Sequence, residues 1–339
     1  MKVAMYYNNN DVRIEEMPVP EIRPGELLVK VKACGICGSD VMEWYRIKTA
    51  PRVLGHEMTG DIVKVGEEVR NYKKGDHVFV SHHVPCNECS YCLNDQHTLC
   101  DTLHSTNFYP GGFSEYIRVP EINVEKGTFK LPDEISYEEG TLIEPLACVV
   151  RGLRIARFKK GQTVLIIGSG MAGLLHVKLA RAMGAKFIIT TDINDYRLDK
   201  AREFGADLAL HADDNILQEI KKINDGHMPD LVVTCTGAPP AVNQAIQTVG
   251  RGGTILFFAP TGPGLKISFP LLDLWNKGVT MVSTYAGAPK DIVESIELLR
   301  SGKVKVKDMI THLLPLEKIQ KGFQIVARAE NSIKVVIKP

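Results

Sequence analysis

The chain has 339 residues, of which 44% are hydrophobic and 24% charged, and its formal net charge is +1. This length favours two domains, and the composition is that of a globular enzyme and excludes a largely disordered chain. The near-neutral charge argues against a general attraction to nucleic acid or to anionic membranes, so neither is expected as a partner.

The N-terminal segment MKVAMYYNNNDVRIEE lacks the apolar core of a signal peptide. The apolar stretches near Val164 and Ile255 are too short to cross a bilayer. We therefore expect a cytoplasmic protein. Thiols stay reduced in that compartment, so the eight cysteines, four of them closely clustered, favour metal binding over disulfides.

The first part of the chain, up to about residue 150, contains short strand-like runs separated by Gly, Pro and charged turns. The runs ELLVKVKACG, TGDIVKVG and HVFVSHH are typical of such strands. This pattern predicts an irregular β-rich domain.

Four cysteines follow with the spacing Cys86-x2-Cys89-x2-Cys92-x7-Cys100. Four thiolates satisfy tetrahedral zinc and leave no open position, so the pattern predicts a structural zinc site. Free surface thiols at such regular spacing are the less favoured interpretation. Histidines nearby compete as ligands, but the fourth cysteine makes them unnecessary.

Strands and helices alternate after residue 150. The strands TVLIIG, KFIITT, DLALHA and DLVVTCTG are followed by helices near 171–183, 196–204, 216–223 and 242–249, and TILFFA and VTMVSTYA come next. Short apolar strands between amphipathic helices indicate a parallel sheet covered on both faces, and so an α/β Rossmann domain.

A glycine-rich turn, Gly168-Ser169-Gly170-Met171-Ala172-Gly173, links the first of these strands to its helix. Glycines there allow a tight turn, close approach of a pyrophosphate and close packing of helix on strand. The helix N-terminus favours phosphate charge, so we assign this turn, including Met171 and Ala172, to dinucleotide binding.

The second strand of this region ends at Asp192, 22 residues after Gly170. A carboxylate at that position accepts hydrogen bonds from the adenosine ribose and repels a 2′-phosphate, which predicts NAD rather than NADP. Arg197 is expected to lie beside the ribose without reversing this preference. The competing interpretation is an Asp that only caps a structural turn.

Several further motifs, taken together, carry a family resemblance. They are CGICGSD, GHEMTGDIVKVGEEVRNYKKGDHV, the four-cysteine lobe, GGFSEY, EPLA, GSGMAG and RLDKAREFGAD. In this order the sequence resembles the zinc-containing medium-chain dehydrogenases, the family of alcohol, polyol (sorbitol) and threonine dehydrogenases. The resemblance runs through nearly the whole chain.

The resemblance implies a GroES-like catalytic domain, formed by residues 1–148 and 288–339, and an NAD-binding Rossmann domain, formed by residues 149–287. It also implies a catalytic zinc with Cys37 and His56 as ligands. Glu57, next to His56, and Glu144, in EPLA, are the two candidates for an acidic ligand. A thiolate, an imidazole and one or two carboxylates nearly neutralise zinc and leave room for a substrate oxygen. We expect Cys34 to be a packed core thiol instead.

Ser39 matches the family's hydroxyl relay beside the substrate oxygen, whereas Met42 stands where many members have a His. The proton is then expected to leave through Glu57, water or a ribose hydroxyl. His83 matches a position near the substrate in threonine dehydrogenases, and an ordinary loop histidine is an equal alternative.

The expected reaction is NAD-linked oxidation of a secondary alcohol to a ketone, because zinc acting as a Lewis acid lowers the pKa of a hydroxyl. Glu144 and Ser39 favour a polyol, cyclitol or sugar alcohol, with L-threonine 3-dehydrogenase as the alternative. A non-catalytic NAD-binding protein and a zinc-free quinone reductase are remote alternatives, since the catalytic positions are intact. Family habit suggests a homo-oligomer, either a tetramer or a dimer.

Overall fold

The computed structural model describes all 339 residues, and the chain divides into two compact units. The first unit consists of Met1–Ala147 and Gly287–Pro339, and the second consists of Cys148–Ala286. Each unit has its own sheet and its own hydrophobic core.

The strands are numbered in chain order. They are β1 (Lys2–Asn8), β2 (Asp11–Glu16), β3 (Leu27–Gly35), β4 (Arg52–Val53), β5 (Glu57–Val65), β6 (His77–Val80), β7 (Tyr116–Val119), β8 (Thr128–Lys130), β9 (Thr163–Ile167), β10 (Phe187–Asp192), β11 (Leu208–His211), β12 (Leu231–Thr234), β13 (Thr254–Phe257), β14 (Thr280–Ser283), β15 (Ile310–Pro315) and β16 (Lys334–Lys338).

The α-helices are numbered in the same way. They are α1 (Glu43–Arg46), α2 (Ser90–Leu93), α3 (Asp101–Ser105), α4 (Glu121–Gly127), α5 (Tyr137–Gly140), α6 (Ile143–Ile155), α7 (Met171–Ala182), α8 (Asp195–Glu203), α9 (Ile216–Ile223), α10 (Pro239–Thr248), α11 (Leu271–Lys277), α12 (Pro289–Arg300) and α13 (Ile319–Arg328). Short 3-10 helices lie at Gly38–Val41, Ile47–Thr49, His97–Leu99, Lys307–Met309 and Leu316–Lys318. None of these helices combines the length and apolar character that crossing a membrane requires.

The first unit is built on a seven-stranded sheet in the order β15-β16-β3-β5-β6-β8, with β7 also paired to β3. The pairings of β3 with β5, β7 and β16 are antiparallel, and the β3–β5 register shifts twice along its length. A smaller sheet, β2-β1-β4, belongs to the same unit. Because β16 pairs with β3, the C-terminal segment completes this unit.

The second unit contains a six-stranded parallel sheet in the order β11-β10-β9-β12-β13-β14. All five residues of β9 are buried, as expected for a strand covered by helices on both sides. This sheet confirms the predicted α/β class. The turn between β9 and α7 lies where the strand order reverses, which is where open parallel sheets bind their ligands.

The element boundaries differ from the predictions mainly at helix starts. Helix α10 begins at Pro239 rather than Val242, because a proline fits the first helical position, where no amide hydrogen is required. Helices α6, α11 and α13, and the short helices α1 to α5, have no predicted counterpart. In α11 the exposed Leu271, Leu272 and Trp275 obscure the amphipathic pattern on which such predictions depend.

His176 in α7 is a buried histidine whose surroundings disfavour the charged imidazole. Its Nδ1 lies 2.8 Å from the Ala172 carbonyl oxygen, and its ring meets Phe258 edge-on at 4.7 Å. Burial lowers the pKa of His176 to about 4, although the Ala172 carbonyl acts in the opposite direction. In the unfolded chain an imidazole titrates near 6.5.

We predict that the free energy of unfolding falls as the pH drops from about 6.5 towards 4. In this range His176 is protonated in the unfolded chain but stays neutral in the folded protein. The expected loss is about 3 kcal/mol. Urea unfolding at several pH values should show a flatter dependence for His176→Met than for the unmodified protein. His227→Gln, at an exposed position of the same unit, is the control and should keep the original dependence. Identical curves for His176→Met and the unmodified protein would contradict the prediction.

Candidate active site and metal centres

The end of β3 and the start of β5 bring distant parts of the sequence together. Gly35, the last residue of β3, pairs with Glu57, the first residue of β5. Cys37 follows the first strand by two residues, and His56 directly precedes the second. The antiparallel register therefore places Cys37 beside His56 and Glu57.

Cys37, His56 and Glu57 form a compact set of metal-binding atoms. One donor atom from each lies within 4.8 Å of the others. Glu57 is fully buried, and its Oε1 has no hydrogen-bond partner, although such a partner is expected for a buried carboxylate oxygen. A thiolate, an imidazole and a carboxylate with a spare oxygen fit a zinc ion with an open position.

Asp40 orients the histidine of this set. Its Oδ1 lies 3.5 Å from Nδ1 of His56, and its Oδ2 accepts a 3.0 Å hydrogen bond from the Cys37 amide. Burial opposes ionisation of Asp40, but His56 and Arg46 hold the pKa of this carboxyl below its usual range. Burial likewise disfavours a charged His56, yet Asp40 and Cys37 raise its pKa well above the usual value. The acidic groups around His56 therefore favour positive charge at this position.

Lys334 pairs with the acidic member of the set. Its Nζ donates to Glu57 Oε2 and, at 3.3 Å, to the Ile36 carbonyl, and both charged side chains are fully buried. Burial lowers the pKa of Lys334, but Glu57, Cys37 and Glu144 outweigh it and raise the value. A Cβ at Gly35 would collide with Glu57 and lie 2.5 Å from the Lys334 Cε, so only glycine fits there.

Glu144, at the start of α6, is not one of the three clustered donors. Its charge nonetheless raises the pKa of Lys334. Of the two candidate acidic ligands, Glu57 is therefore the one that lies with Cys37 and His56. The charge of Glu144 favours the protonated form of Lys334, which pairs with Glu57.

Ser39 lies in the short 3-10 helix after Cys37. Its amide donates to the Cys37 Sγ at 3.4 Å, and its Oγ accepts a 2.8 Å hydrogen bond from Nη2 of Arg46. Nε of Arg46 also donates to the Ser39 carbonyl at 3.0 Å. The hydroxyl is thus held beside the cluster by a guanidinium group. Met42, at the end of the same short helix, offers no titratable group.

His83 reaches the cluster through its neighbour His82. The ring centroids of His56 and His82 are 4.8 Å apart, and those of His82 and His83 are 3.8 Å apart. Burial and the positive charges of His56, His104 and Arg46 lower the pKa of His83 to about 3. Burial also places the pKa of His82 well below its usual value. Two neutral imidazoles therefore flank the set.

The four cysteines of the lobe also converge. Their sulfur atoms lie 3.9 Å apart for Cys86 and Cys92, 3.6 Å for Cys89 and Cys92, and 3.5 Å for Cys86 and Cys100. Tetrahedral zinc with bonds of about 2.3 Å requires sulfur separations of about 3.8 Å. Burial opposes ionisation of Cys100, but backbone amides lower its pKa to about 6. The set fits a closed zinc site.

The glycine-rich turn has the backbone geometry of a phosphate site. Gly168 has φ +94°, which favours glycine, and any Cβ on Gly173 would overlap the Gly168 carbonyl. Gly170 is the N-cap of α7, and Met171 and Ala172 are the first two residues of that helix. Their amides belong to the helix end that attracts anions.

Asp192 and Arg197 both lie close to this turn. The carboxylate of Asp192 accepts hydrogen bonds from the amides of Ser169 at 2.6 Å and Asn194 at 3.0 Å. Arg197 lies close to Gly170, and its buried Nε makes no hydrogen bond. A buried guanidinium nitrogen without an acceptor fits a site that receives a nucleotide.

Three residues in these sites were not predicted. Asp40 lies within the CGICGSD motif, where its charge next to two candidate ligands was an available signal. Lys334 interrupts the apolar run of the last strand, and a buried charge in such a run signals a buried partner. For Arg46 the sequence carries no comparable signal.

Comparison with known proteins identifies the family. Residues 23–133 match the alcohol dehydrogenase GroES-like domain, and residues 172–301 match the zinc-binding dehydrogenase domain. The probable D-xylulose reductase A of Aspergillus clavatus is 35% identical, with 97% of this chain and 94% of that protein covered. The sorbitol dehydrogenase of Bacillus subtilis is 33% identical, with coverages of 100% and 97%.

Comparison with solved structures also points to dehydrogenases. The 2R,3R-butanediol dehydrogenase of Bacillus subtilis is 30% identical and superposes with a TM-score of 0.86, covering 100% of this chain and 99% of that chain. The alcohol dehydrogenase TADH of Thermus sp. ATN1 is 28% identical, with a TM-score of 0.90 and the same coverages. The predicted GroES-like and Rossmann domains are confirmed. The chain belongs to the zinc-containing medium-chain dehydrogenases, together with the sorbitol dehydrogenases and D-xylulose reductases.

Proposed function

We propose that the protein oxidises a secondary alcohol of the polyol, cyclitol or sugar-alcohol class to a ketone, using zinc and NAD. The observation that carries the proposal is the cluster of Cys37, His56 and Glu57 with the Ser39 hydroxyl held beside it. The relatives bear the names of polyol and diol enzymes, which favours a polyol over L-threonine.

Cys37, the Nε2 of His56 and the Oε1 of Glu57 are the groups that we assign to the catalytic zinc. Nδ1 of His56 faces Asp40, which leaves Nε2 for the metal and fixes the ring orientation. Oε2 of Glu57 is held by Lys334, which leaves Oε1. Glu144 is the alternative acidic ligand. When bound, the metal supplies Lewis-acid stabilisation of a negatively charged substrate oxygen.

Ser39 receives the proton of the substrate hydroxyl. Since Arg46 occupies one lone pair of the Ser39 oxygen, the other can accept a proton while the serine passes on its own. Met42 cannot carry the proton further, so we assign the next step to water at the partly exposed Ser39. The neutral imidazole of His83 is proposed to contact the substrate.

Cys86, Cys89, Cys92 and Cys100 are assigned to a second, structural zinc, because four thiolates leave no position for a substrate. We assign residues 1–148 and 288–339 to the catalytic domain and residues 149–287 to the cofactor domain. When bound, NAD supplies the hydride acceptor. Gly168, Gly170, Met171, Ala172 and Gly173 would hold its pyrophosphate at the N-terminus of α7.

Asp192 determines the preference for NAD, since its charge repels a 2′-phosphate next to Arg197. We predict that Asp192→Ser raises the ratio of kcat/KM for NADP+ to that for NAD+ by about tenfold or more. Kinetics with both cofactors measure this ratio. Asp195→Ser, with the charge removed three residues away, is the control, and an equal change in both variants would contradict the assignment.

The reaction is tested with zinc-loaded protein, a panel of polyols and cyclitols, and L-threonine, each with NAD+ and with NADP+. NADH formation from at least one secondary alcohol is expected, together with about two zinc ions per chain. Lack of turnover across the panel at full zinc content would overturn the proposal and favour a non-catalytic NAD-binding protein.

We further propose a homo-oligomer, a tetramer or a dimer. Strand β14 lies at the edge of the parallel sheet, with Met281 42% exposed, and the neighbouring helix α11 leaves Leu271, Leu272 and Trp275 each about 70% exposed or more. An exposed strand edge beside apolar side chains favours pairing with a second copy. Tyr91, Leu93 and Leu99 on the cysteine lobe supply a second exposed apolar surface, which favours a tetramer.

We predict that Met281→Lys lowers the oligomer mass measured by light scattering, because a charge would be buried at the paired edge. Leu217→Lys, at an exposed apolar position of α9 in the same unit, should leave the mass unchanged. A monomeric unmodified protein would contradict the oligomer, and an unchanged mass for Met281→Lys would contradict this interface.

We propose a cytoplasmic location because the cysteine thiols are free rather than joined in disulfides. All eight cysteines are free, and four converge in a cluster that requires the reduced form. Such a cluster is favoured in a reducing compartment.

A further inference from the structure

Two arginines lie next to the candidate active site without a full complement of partners. Arg46 uses Nε and Nη2 to hold the Ser39 carbonyl and hydroxyl, and Nη2 also lies 3.4 Å from Asp40 Oδ1. Its guanidinium covers the Tyr45 ring at 4.8 Å. Nη1 of Arg46 makes no hydrogen bond within the protein.

Arg52, in the short strand β4, is partly buried and forms no ion pair. Its single side-chain hydrogen bond, from Nη1 to Thr49 Oγ1, is 3.5 Å long. Burial and the positive charge of Arg46 lower the pKa of Arg52. Burial lowers the pKa of His82, and the positive charges of both arginines lower it further. The ring of His82 lies 4.8 Å from that of His56. The same Thr49 hydroxyl donates to the Arg46 carbonyl at 3.2 Å, so Arg52 lies beside the segment that carries Arg46.

The carboxylate in reach of both arginines does not neutralise them. Asp40 already accepts from the Cys37 amide and lies against His56, and it is fully buried. Lys334 is paired with Glu57, so among the charged groups around Ser39 the two arginines and Asp40 leave one positive charge. A partly buried guanidinium group without an ion pair, as in Arg52, favours an anion when it lies beside a substrate site.

We propose that Arg46 and Arg52 bind an anionic group of the substrate, either a phosphate monoester or a carboxylate, so that acidic polyol derivatives are preferred over neutral polyols. This proposal rests on the proposed function and narrows its substrate class. Guanidinium forks match the paired oxygens of both groups. Since Arg46 holds Ser39, the anion would be bound close to the reacting hydroxyl.

The test compares kcat/KM for D-sorbitol, sorbitol 6-phosphate and D-gluconate, and for matched sets of other polyols, with zinc-loaded enzyme and NAD+. One anionic member is expected to exceed its neutral counterpart about tenfold or more. The phosphate and the carboxylate series distinguish the two kinds of anion. A neutral polyol equal to or better than both counterparts would overturn the proposal.

Variants of Arg52 test whether the arginines cause the preference for anionic substrates. Arg52→Gln should lower the ratio of kcat/KM for the anionic substrate to that for the neutral one, and Arg52→Lys should lower this ratio less. Lys48→Gln removes an exposed positive charge from the same segment and should change nothing. If Arg52→Gln instead raises the KM for NAD+ equally with neutral and anionic substrates, the arginine serves the cofactor and the proposal is wrong.

Binding provides a readout that does not depend on turnover. Calorimetric titration with inorganic phosphate should show binding that weakens about tenfold or more in Arg52→Gln and persists in Lys48→Gln. Equal binding in both variants would overturn the arginine site. Absence of turnover with every alcohol would refute the proposed function instead. The phosphate titration would then still show whether the arginine pair binds an anion.

Discussion

Replacing Cys37 with serine is expected to remove one of the two zinc ions and to lower kcat/KM by roughly 10³-fold or more, because the Lewis acid that stabilises the substrate oxygen is lost. The serine hydroxyl is a poor zinc ligand at neutral pH, whereas Cys37 supplies a thiolate beside His56 and Glu57. Metal analysis and steady-state kinetics on the same preparation measure both effects.

Cys34→Ala is the matched control for this variant. Cys34 lies three residues earlier, is fully buried, and belongs to the apolar core of the first unit. Its replacement should lower stability slightly and leave the zinc content and the rate constants close to their original values. Full zinc content in Cys37→Ser, or loss of a zinc from Cys34→Ala, would contradict the assignment of the ligand.

Replacing Lys334 with methionine should destabilise the first unit by about 3–5 kcal/mol, because it leaves the buried charge of Glu57 without its cation. Urea unfolding measures the free energy. Lys334 also holds the Glu57 Oε2, so the variant should release the catalytic zinc to a chelator at a changed rate. A merely structural lysine would leave that rate unaltered.

Lys338→Met is the control within the same strand. Lys338 pairs with Glu138 at the surface, where its side chain is 51% exposed, so the expected loss is below about 1 kcal/mol. Equal stability for the two variants would mean that the buried pair contributes little, and the proposed role of Lys334 would then be wrong.

The locally encoded features were predicted from the sequence with little outside help. The four cysteines lie within a short lobe, and the turn from Gly168 to Gly173 is contiguous, so spacing alone constrains their geometry. The alternation of buried strands and amphipathic helices likewise indicated the parallel sheet. In each case the determining contacts join residues near one another in the chain.

The cluster of Cys37, His56 and Glu57 is different, because strand pairing brings its members together. The pairing of Gly35 with Glu57 aligns Cys37 with His56 across 19 residues, and the family resemblance alone suggested it beforehand. A shift of one residue in this register would reverse which side chains face the cluster. No periodicity in the sequence determines that register.

By itself the sequence indicated the cluster of lobe cysteines, the glycine-rich turn and the class of each domain, because short-range spacing determines turns and the burial pattern determines helices and strands. Only the tertiary structure decided that Lys334, 277 residues from Glu57, neutralises that carboxylate, and that Arg46 holds Ser39. Those contacts arise when β16 pairs with β3 and the loop after Cys37 packs. Their partners are selected by burial and by the need to pair charges away from water.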